Sequence, residues 1–216
     1  MSKLWSFGDS WVHGEGVDRS ETFTKHIADY FKLEDYNMGW NGSNNKGIID
    51  LVNISKYNIN KRNDMIIVSL TTPHRDESNL KIHMKNKTLK RGFDIILQKW
   101  PSLLKDLYKS LEGYNFKITQ AFNPIFGYDY IIEEQLSLPN FIEWGKPNNT
   151  LLDIITDNWC EDNDFNWFMS EKRWGGDGYR RLKVDEDKVF ASDKKHPSQY
   201  GHKLIAKKLI PYLEYR

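Results

Sequence analysis

Cysteine is almost absent from this sequence of 216 residues, in which Cys160 is the only one. A single thiol excludes both a disulfide within the chain and a cysteine-rich metal site. An excess of charge of one sign is lacking too, because 31 basic and 30 acidic residues leave a formal net charge of +1. No overall field therefore attracts nucleic acid or an acidic membrane surface, and neither is expected as a partner.

Long apolar runs are also missing. No stretch approaches the roughly eighteen residues that a membrane-spanning helix needs. The first residues, from Met1 to Trp5, lead directly into a motif discussed below, which leaves no room for a secretory signal peptide. The six histidines form no His-x-x-x-His pair of the kind that binds zinc. These absences predict a soluble, cytoplasmic protein without a metal ion.

The chain contains strand and helix patterns in alternation. Met65–Leu70 is a nearly continuous apolar run, as expected of a central parallel strand that is covered on both faces. The longest stripe of 3.6-residue period extends from Leu89 to Leu111, and Pro101 within it predicts either a kink or two helices that meet there. The remaining patterns predict strands at 3–7, 35–38 and 116–121 and helices at 22–31 and 46–59. Residues 122–190 are predicted to form an irregular, aromatic-rich insert with a helical candidate at 151–159. A last helix is opened by His196-Pro197-Ser198, with Pro197 at a first helical position.

Strands that alternate with helices indicate an α/β protein, with a mostly parallel sheet covered by helices on both faces. In such sheets the loops at the carboxyl ends of the strands build the active site. Three polar loops follow predicted strands, at 8–10, 39–45 and 71–75, and we expect them to converge. No repeat or linker interrupts the pattern, so residues 1–216 are predicted to form one domain.

Two short motifs near opposite ends of the chain carry the groups of nucleophilic catalysis. Ser10 ends the tripeptide Gly8-Asp9-Ser10, which follows the first predicted strand. Asp193 and His196 lie three positions apart, a spacing that lets the carboxylate reach one ring nitrogen while the other faces Ser10. A nucleophilic serine needs such a base and a group that orients it. Taken alone, a Gly-Asp-Ser tripeptide is more often a plain turn, and an Asp-x-x-His pair is more often a helix cap.

Together, these motifs resemble the sequence blocks of the SGNH (GDSL-like) hydrolase family. Phe7-Gly8-Asp9-Ser10 resembles the first block, and 193–197 followed by Tyr200-Gly201-His202 resembles the block that supplies Asp and His. Residues 37–42 are similar to the second block, in which a glycine N–H donates to the oxyanion, and the spacing selects Gly42. The resemblance implies a three-layer α/β/α sandwich with a flavodoxin-like sheet, a triad of Ser10, His196 and Asp193, and oxyanion donors at Ser10 and Gly42.

The block after the central strand departs from the family pattern. The family usually reads Gly-x-Asn-Asp there and uses the asparagine as a third oxyanion donor, whereas this chain reads Thr71-Thr72-Pro73-His74-Arg75, with Pro73 at the aligned position. Loss of one such donor typically lowers turnover on the order of a hundred- to a thousand-fold. Thr72 and Asn44 are the leading candidates to replace it, and His74, Arg75 and Asn45 are the alternatives.

Several polar and aromatic residues are interpreted without a catalytic role. His13 and Glu15, shortly after Ser10, could line the pocket, but polar residues after a turn are usually solvated, and they are interpreted so. His202 has no acidic partner at a suitable spacing and is predicted to lie on the exposed side of the last helix. The tryptophans of the insert form either a satellite core under a long excursion or an aromatic wall over the active site, and they are Trp144, Trp159, Trp167 and Trp174.

The sequence supports two functions. The first is a serine esterase that cleaves a small ester, such as an acetyl group on a carbohydrate or a similar small molecule, without a cofactor. The alternative is a catalytically weakened module of the same fold that binds a ligand or supports an assembly. Pro73 favours the alternative, and the three triad residues favour the enzyme.

Overall fold

A parallel β-sheet forms the frame on which the candidate site is built. The computed structural model describes residues 1–71, 89–121, 138–142, 150–152, 154–156, 185–193 and 195–214. Within these residues the strands β1 (Lys3–Phe7), β2 (Glu34–Asn37), β3 (Met65–Leu70) and β4 (Phe116–Gln120) pair in parallel, in the order β2-β1-β3-β4. This is the order of flavodoxin-like sheets. The predicted α/β class and the predicted parallel sheet are confirmed.

Helices cover both faces of this sheet. In chain order they are α1 (Ser10–His13), α2 (Phe23–Tyr30), α3 (Asn45–Ser55), α4 (Leu89–Ser110), α5 (Glu186–Val189) and α6 (Gln199–Leu213), with single 3₁₀ turns at Arg19–Glu21 and Lys56–Asn58. In the part of the chain that the structure describes, no helix combines the length and the apolar character needed to cross a membrane. The helix predicted at 22–31 and most of the one predicted at 46–59 are confirmed.

Two hydrophobic cores lie on opposite faces of the sheet, and β3 contributes to both. Met65 and Ile67 pack with α2 and α6 in the first core, whereas Ile66 and Val68 pack with α3 and α4 in the second. Successive side chains of a strand point to opposite faces, so a strand covered on both sides is apolar at most of its positions. This explains why Met65–Leu70 reads as a nearly continuous apolar run, and it makes the domain a three-layer sandwich.

Helix α4 continues through Pro101 as one element, so of the two predicted alternatives, a kink or two helices that meet there, the second is wrong. Proline removes one backbone N–H from the helical ladder and crowds the preceding turn, which usually bends or breaks a helix. Here the second core holds the helix on both sides of the proline, through Trp100 before it and through Leu104 and Leu107 after it, all at most 5% exposed. This packing holds the chain in one continuous helix where the local sequence favours a break.

The last helix begins later than predicted. Its first residue is Gln199, and the N-cap is Ser198, whose Oγ accepts the N–H of Gly201 at 3.1 Å. Pro197 is not the first helical residue, because it forms an isolated antiparallel bridge with Phe190. Its extended backbone therefore belongs to the loop that precedes the helix.

His202 is buried, and the prediction that it lies on an exposed side of the last helix is wrong. Its Nδ1 accepts the backbone N–H of Phe23 at 3.2 Å, and its ring stacks on the Phe23 ring with 5.9 Å between centroids. Burial, together with the neighbouring imidazoles of His26 and His196, lowers the pKa of His202 to about 3. Helix α6 packs against α2 as well as the sheet, so its buried residues include Gly201 and His202 besides the apolar ones.

The region predicted as irregular, 122–190, is described only in part. Residues 151–152 and 154–156 are helical, in agreement with the helical candidate as far as they reach. The short helix α5 was not predicted, and Phe141 forms an isolated parallel bridge with Ile118 of β4. The four tryptophans of the insert lie outside the described residues, so both interpretations of them stay predictions.

Candidate active site

The turn after β1 places Ser10 at the first residue of α1. Gly8 is required there, because a Cβ atom would lie 2.3 Å from Cγ2 of Val12 and 3.0 Å from the backbone oxygen of Ser69. Asp9 is the N-cap of α1, and its Oδ1 accepts the N–H of Trp11 at 3.0 Å. An aspartate cap satisfies a helical N–H that would otherwise have no partner. The result is a fixed serine, 4% exposed, at the carboxyl end of the sheet.

Asp9 also ties this turn to the end of β3. Its Oδ2 accepts the hydroxyl of Thr71 at 2.8 Å. The backbone of Thr71 is bonded in turn to Asn45, since its N–H donates to Oδ1 at 2.8 Å and its carbonyl accepts Nδ2 at 3.2 Å. All three residues are fully buried. The ends of β1 and β3 and the start of α3 are therefore held together by side-chain hydrogen bonds.

Asn37, at the end of β2, holds the other side of the turn that carries Ser10. Its Nδ2 donates to the backbone oxygen of Val12 and, at 3.0 Å, to Oγ1 of Thr24, while its Oδ1 accepts the N–H of Gly39 at 2.9 Å. Gly39 lies so close to α1 that a Cβ atom would be 2.3 Å from the backbone nitrogen of His13. The loop that begins at Gly39 is thus in direct contact with the helix that carries Ser10.

Gly42, the predicted oxyanion donor, lies in a tight turn of this loop. The N–H of Ser43 donates to the carbonyl of Trp40 at 3.1 Å, and Gly42 has a φ of 77° at the third position of the turn. A type II turn needs a positive φ at that position, which favours glycine. Among the described residues, no hydrogen bond uses the N–H of Gly42 or that of Ser10. Both N–H groups can therefore donate to a ligand.

Asp193 and His196 lie in a loop that is closed at its base. The N–H of Ala191 donates to the carbonyl of His196 at 2.8 Å, and the N–H of Ser198 donates to the carbonyl of Val189 at 2.9 Å. Within the loop, Oδ1 of Asp193 accepts the backbone N–H groups of Lys195 and His196, at 2.9 and 3.1 Å. Its Oδ2 forms a short hydrogen bond with Nδ1 of His196. The carboxylate therefore orients the imidazole.

Two opposing effects act on the pKa of Asp193. Partial burial raises it, but the hydrogen bonds from the His196 ring and from the backbone N–H groups of Lys195 and His196 lower it by more. The net pKa lies below the ordinary value of an aspartate. The group is therefore ionised at neutral pH, as a carboxylate that orients a histidine must be.

His196 joins the two ends of the chain. Its Nε2 lies 2.8 Å from Oγ of Ser10, although the two residues are 186 positions apart. The imidazole side chain is 14% exposed. The structure thus brings together the three residues predicted as a triad, in an order of carboxylate, imidazole and hydroxyl that can move a proton from Ser10 to His196.

Glu15 also reaches this group and is the residue that the sequence interpretation missed. Its Oε2 lies 3.4 Å from Nε2 of His196, so it is not simply a solvated side chain. The local sequence carried a signal for such a contact, because Glu15 stands between two glycines, Gly14 and Gly16, shortly after Ser10. His13, in contrast, is exposed, and its Nδ1 lies 3.1 Å from the carbonyl of Gly39.

The candidates for a third oxyanion donor are described only in part. Asn44 is the N-cap of α3, and its Oδ1 accepts the N–H of Gly47 at 2.8 Å. Its Nδ2 contacts no acceptor in the described part of the chain. The side chain of Asn45 is directed at the backbone of Thr71 instead. The residues at 72–75, which include Thr72 and Pro73, lie outside the described residues.

No family model and no curated protein matches this sequence. Solved structures do match it, among them a member of the lipolytic G-D-S-L family from Veillonella parvula, 14% identical, with 100% of both chains covered and a TM-score of 0.51. The chain has the G-D-S-L fold. Two further matches each cover 98% of this chain and 96% of the other chain. They are a psychrotrophic esterase from a Pseudoalteromonas species, at 10% identity and a TM-score of 0.48, and a family 3 carbohydrate esterase from Clostridium thermocellum, at 14% and 0.44.

The G-D-S-L fold agrees with the resemblance found in the sequence and explains where the site lies. In a sheet of order β2-β1-β3-β4, the crossovers change direction between β1 and β3, and sheets of this kind bind ligands at the carboxyl ends of these two strands. Ser10 follows β1, and Thr71 follows β3. The loop with Asp193 and His196 reaches the same end of the sheet through the contact with Ser10.

Proposed function

We propose that this chain is a serine esterase of the SGNH type that hydrolyses a small ester, such as an O-acetyl group on a carbohydrate. The observation that carries the proposal is the 2.8 Å contact between Ser10 Oγ and His196 Nε2, with Asp193 on the opposite ring nitrogen. A hydroxyl becomes a useful nucleophile only next to a base that is itself oriented. A loop closed at its base and a capped helix hold these groups in place.

In the proposed reaction, Ser10 Oγ attacks the acyl carbon while Nε2 of His196 takes its proton. The N–H groups of Ser10 and Gly42 stabilise the oxyanion that forms. His196 then gives the proton to the leaving alcohol, and the acyl group remains on Ser10 as an ester. Water attacks this ester with His196 as base, which releases the acid and restores the hydroxyl. Asp193 keeps the Nδ1 proton in place, and no step needs a cofactor.

A third oxyanion donor is also proposed, because Pro73 stands where the family pattern has asparagine. The amide Nδ2 of Asn44 supports one assignment, since Oδ1 of the same side chain is fixed by the helix cap and Nδ2 has no acceptor among the described residues. Thr72, directly after the fixed Thr71, is the other assignment. Two backbone donors alone would stabilise the oxyanion less, by about 3 to 4 kcal/mol.

A carbohydrate acceptor is supported by Trp40, which is 72% exposed on the loop that carries Gly42. Its backbone N–H donates to the carbonyl of Gly8 at 3.0 Å, so the backbone of Trp40 is fixed beside the turn that carries Ser10. An exposed indole ring offers a flat apolar surface, which suits the C–H face of a sugar. This residue supports the finer assignment of the substrate.

Labelling with a fluorophosphonate probe tests the proposal. The wild-type protein should become labelled and should hydrolyse 4-nitrophenyl acetate, and Ser10→Ala should abolish both. Ser110→Ala is the matched control, because its hydroxyl bonds the carbonyl of Asp106 within α4, far along the chain from the triad. Absence of both labelling and hydrolysis in folded wild-type protein would contradict the proposal. It would favour the binding module, for which Pro73 is the supporting feature.

A further inference from the structure

The carboxylate of Glu15 lies beside the imidazole nitrogen that faces Ser10. Its Oε2 is 3.4 Å from Nε2 of His196, and Ser10 Oγ is 2.8 Å from the same nitrogen. Asp193 occupies the other side of the ring. His196 therefore has a carboxylate on each side, and only that of Asp193 is used in the reaction described above.

Two glycines direct Glu15 toward this position. Gly14 and Gly16 have φ values of 86° and 91°, in a backbone region that residues other than glycine rarely adopt. The N–H groups of Gly14 and Glu15 both donate to the carbonyl of Ser10, at 3.0 and 3.1 Å. A Cβ atom on Gly16 would lie 2.7 Å from Cβ of Ala191, just before the loop with Asp193. The segment is thus held between the nucleophile helix and the acid–base loop.

The Glu15 carboxylate is available to a ligand. Its side chain is 43% exposed, and within the described residues its only ion-pair or hydrogen-bond contact is the one with His196. A carboxylate offers about four lone-pair positions and no proton, so it binds donors and repels anions. A substrate at this end of the sheet can therefore find an unused acceptor next to the catalytic nitrogen.

The proposed reaction determines where the Glu15 carboxylate lies relative to the leaving alcohol. The ester oxygen that departs must come within about 3 Å of Nε2 to receive its proton. A hydroxyl on the neighbouring carbon lies about 3 Å from that oxygen, which brings it within reach of Oε2 for a hydrogen bond of ordinary length. An alcohol without such a hydroxyl leaves the carboxylate solvated and gains nothing from it.

We propose that Glu15 binds the leaving alcohol through a hydroxyl adjacent to the scissile ester oxygen and thereby selects esters of polyols, sugars included, over esters of simple alcohols. The inference rests on the proposed esterase function and specifies its substrate class. The exposed Trp40 on the neighbouring loop agrees with it, since a sugar presents hydroxyl groups at its edge and an apolar face to a ring.

The test compares two acetate esters of equal carbon number in the alcohol, glycerol 1-acetate and n-propyl acetate. The wild-type protein should have the higher kcat/KM for the glycerol ester. Glu15→Ala should lower the ratio of the two kcat/KM values roughly tenfold, a size typical for the loss of one hydrogen bond to a charged group. Glu15→Gln keeps an acceptor and should retain part of the preference. Glu34→Ala, at the opposite end of the sheet, is the matched control and should leave the ratio unchanged.

The outcomes separate this inference from the proposed function. If Glu15→Ala leaves the ratio unchanged while 4-nitrophenyl acetate is still hydrolysed, the role of Glu15 is wrong and the esterase stands. If the wild-type protein cleaves none of these esters and takes no probe, the proposed function fails and the inference with it. If Glu15→Ala and Glu15→Gln impair hydrolysis of acetylcholine rather than of the glycerol ester, the carboxylate receives a cation, and the hydroxyl assignment is overturned. Thermal unfolding of each variant shows whether it is folded.

Discussion

Acid should destabilise this protein through His202. In the folded state the ring of His202, which belongs to α6, is buried against Phe23 of α2, and its pKa is lowered from 6.5 to about 3. Between these two values the unfolded chain binds a proton at this position and the folded chain does not. Stability therefore falls as the pH drops below about 6.5, and the loss is complete only near pH 3.

The size of the effect follows from the two pKa values. One pKa unit corresponds to about 1.36 kcal/mol. The free energy of unfolding should fall by about 2 kcal/mol between about pH 7 and pH 5, and by about 4 kcal/mol by about pH 3. The first of these losses is already large against the roughly 5 to 15 kcal/mol that stabilise a typical domain.

Urea unfolding at several pH values measures this loss, and His202→Asn is the informative variant. Asparagine does not titrate, and its Oδ1 can replace Nδ1 as the acceptor for the N–H of Phe23. Burial also lowers the pKa of His26, but that residue is present in both proteins, so the difference between the two pH profiles isolates His202. The wild-type profile should be steeper by about 2 kcal/mol between about pH 7 and pH 5. Parallel profiles would show that the α2–α6 contact does not hold a neutral imidazole.

Three further substitutions test the site and its frame. Asn37→Ala removes three buried hydrogen bonds and should lower the free energy of unfolding, measured in urea, by about 3 kcal/mol. Asn53→Ala is the control: its side chain makes one hydrogen bond among the described residues, from Lys56, and the change should be less than about 0.5 kcal/mol. Similar losses in the two variants would contradict the role of Asn37. Ser69→Ala removes a buried hydroxyl that has no hydrogen-bond partner among the described residues, so it should leave stability unchanged or higher, and a loss above about 1 kcal/mol would mean that a water binds there. Asp193→Asn should lower turnover of 4-nitrophenyl acetate by about 10⁴-fold without loss of folding, because an amide favours the wrong imidazole tautomer, and a loss below about tenfold would refute that orientation.

The parts of the fold that local patterns determine could be predicted from the sequence. The strand at Met65–Leu70 is apolar because both faces are covered, and the turn at Gly8 is fixed by a contact that only glycine permits. Asp193 could be paired with His196 because a spacing of three positions suffices for their hydrogen bond. In each case the cause lies within a few residues, where sequence periodicity and spacing carry the information.

The residues that sequence reasoning misplaced depend on neighbours far along the chain. His202 is buried because α2 lies against α6, and the N–H of Phe23, which donates to its Nδ1, is 179 positions away. Helix α4 survives Pro101 because Trp100 before the proline and Leu104 and Leu107 after it are all buried in the second core. Glu15 appeared solvated because its partner His196 belongs to a loop near the other end of the sequence. Such contacts have no periodic signature, so only the assembled tertiary structure shows them.

The distance along the chain between Ser10 and His196 has a consequence for how the protein matures. A ribosome must have produced residues beyond 196 before the base can meet the nucleophile, and α6, which completes the first core, is made last of all the helices described. Contacts between such remote segments form late and slowly, because closing a long loop costs entropy before any contact offsets it. The proposed hydrolytic activity should therefore appear only at the end of refolding, after the helical circular dichroism signal has recovered, and it would serve as a reporter of the complete fold.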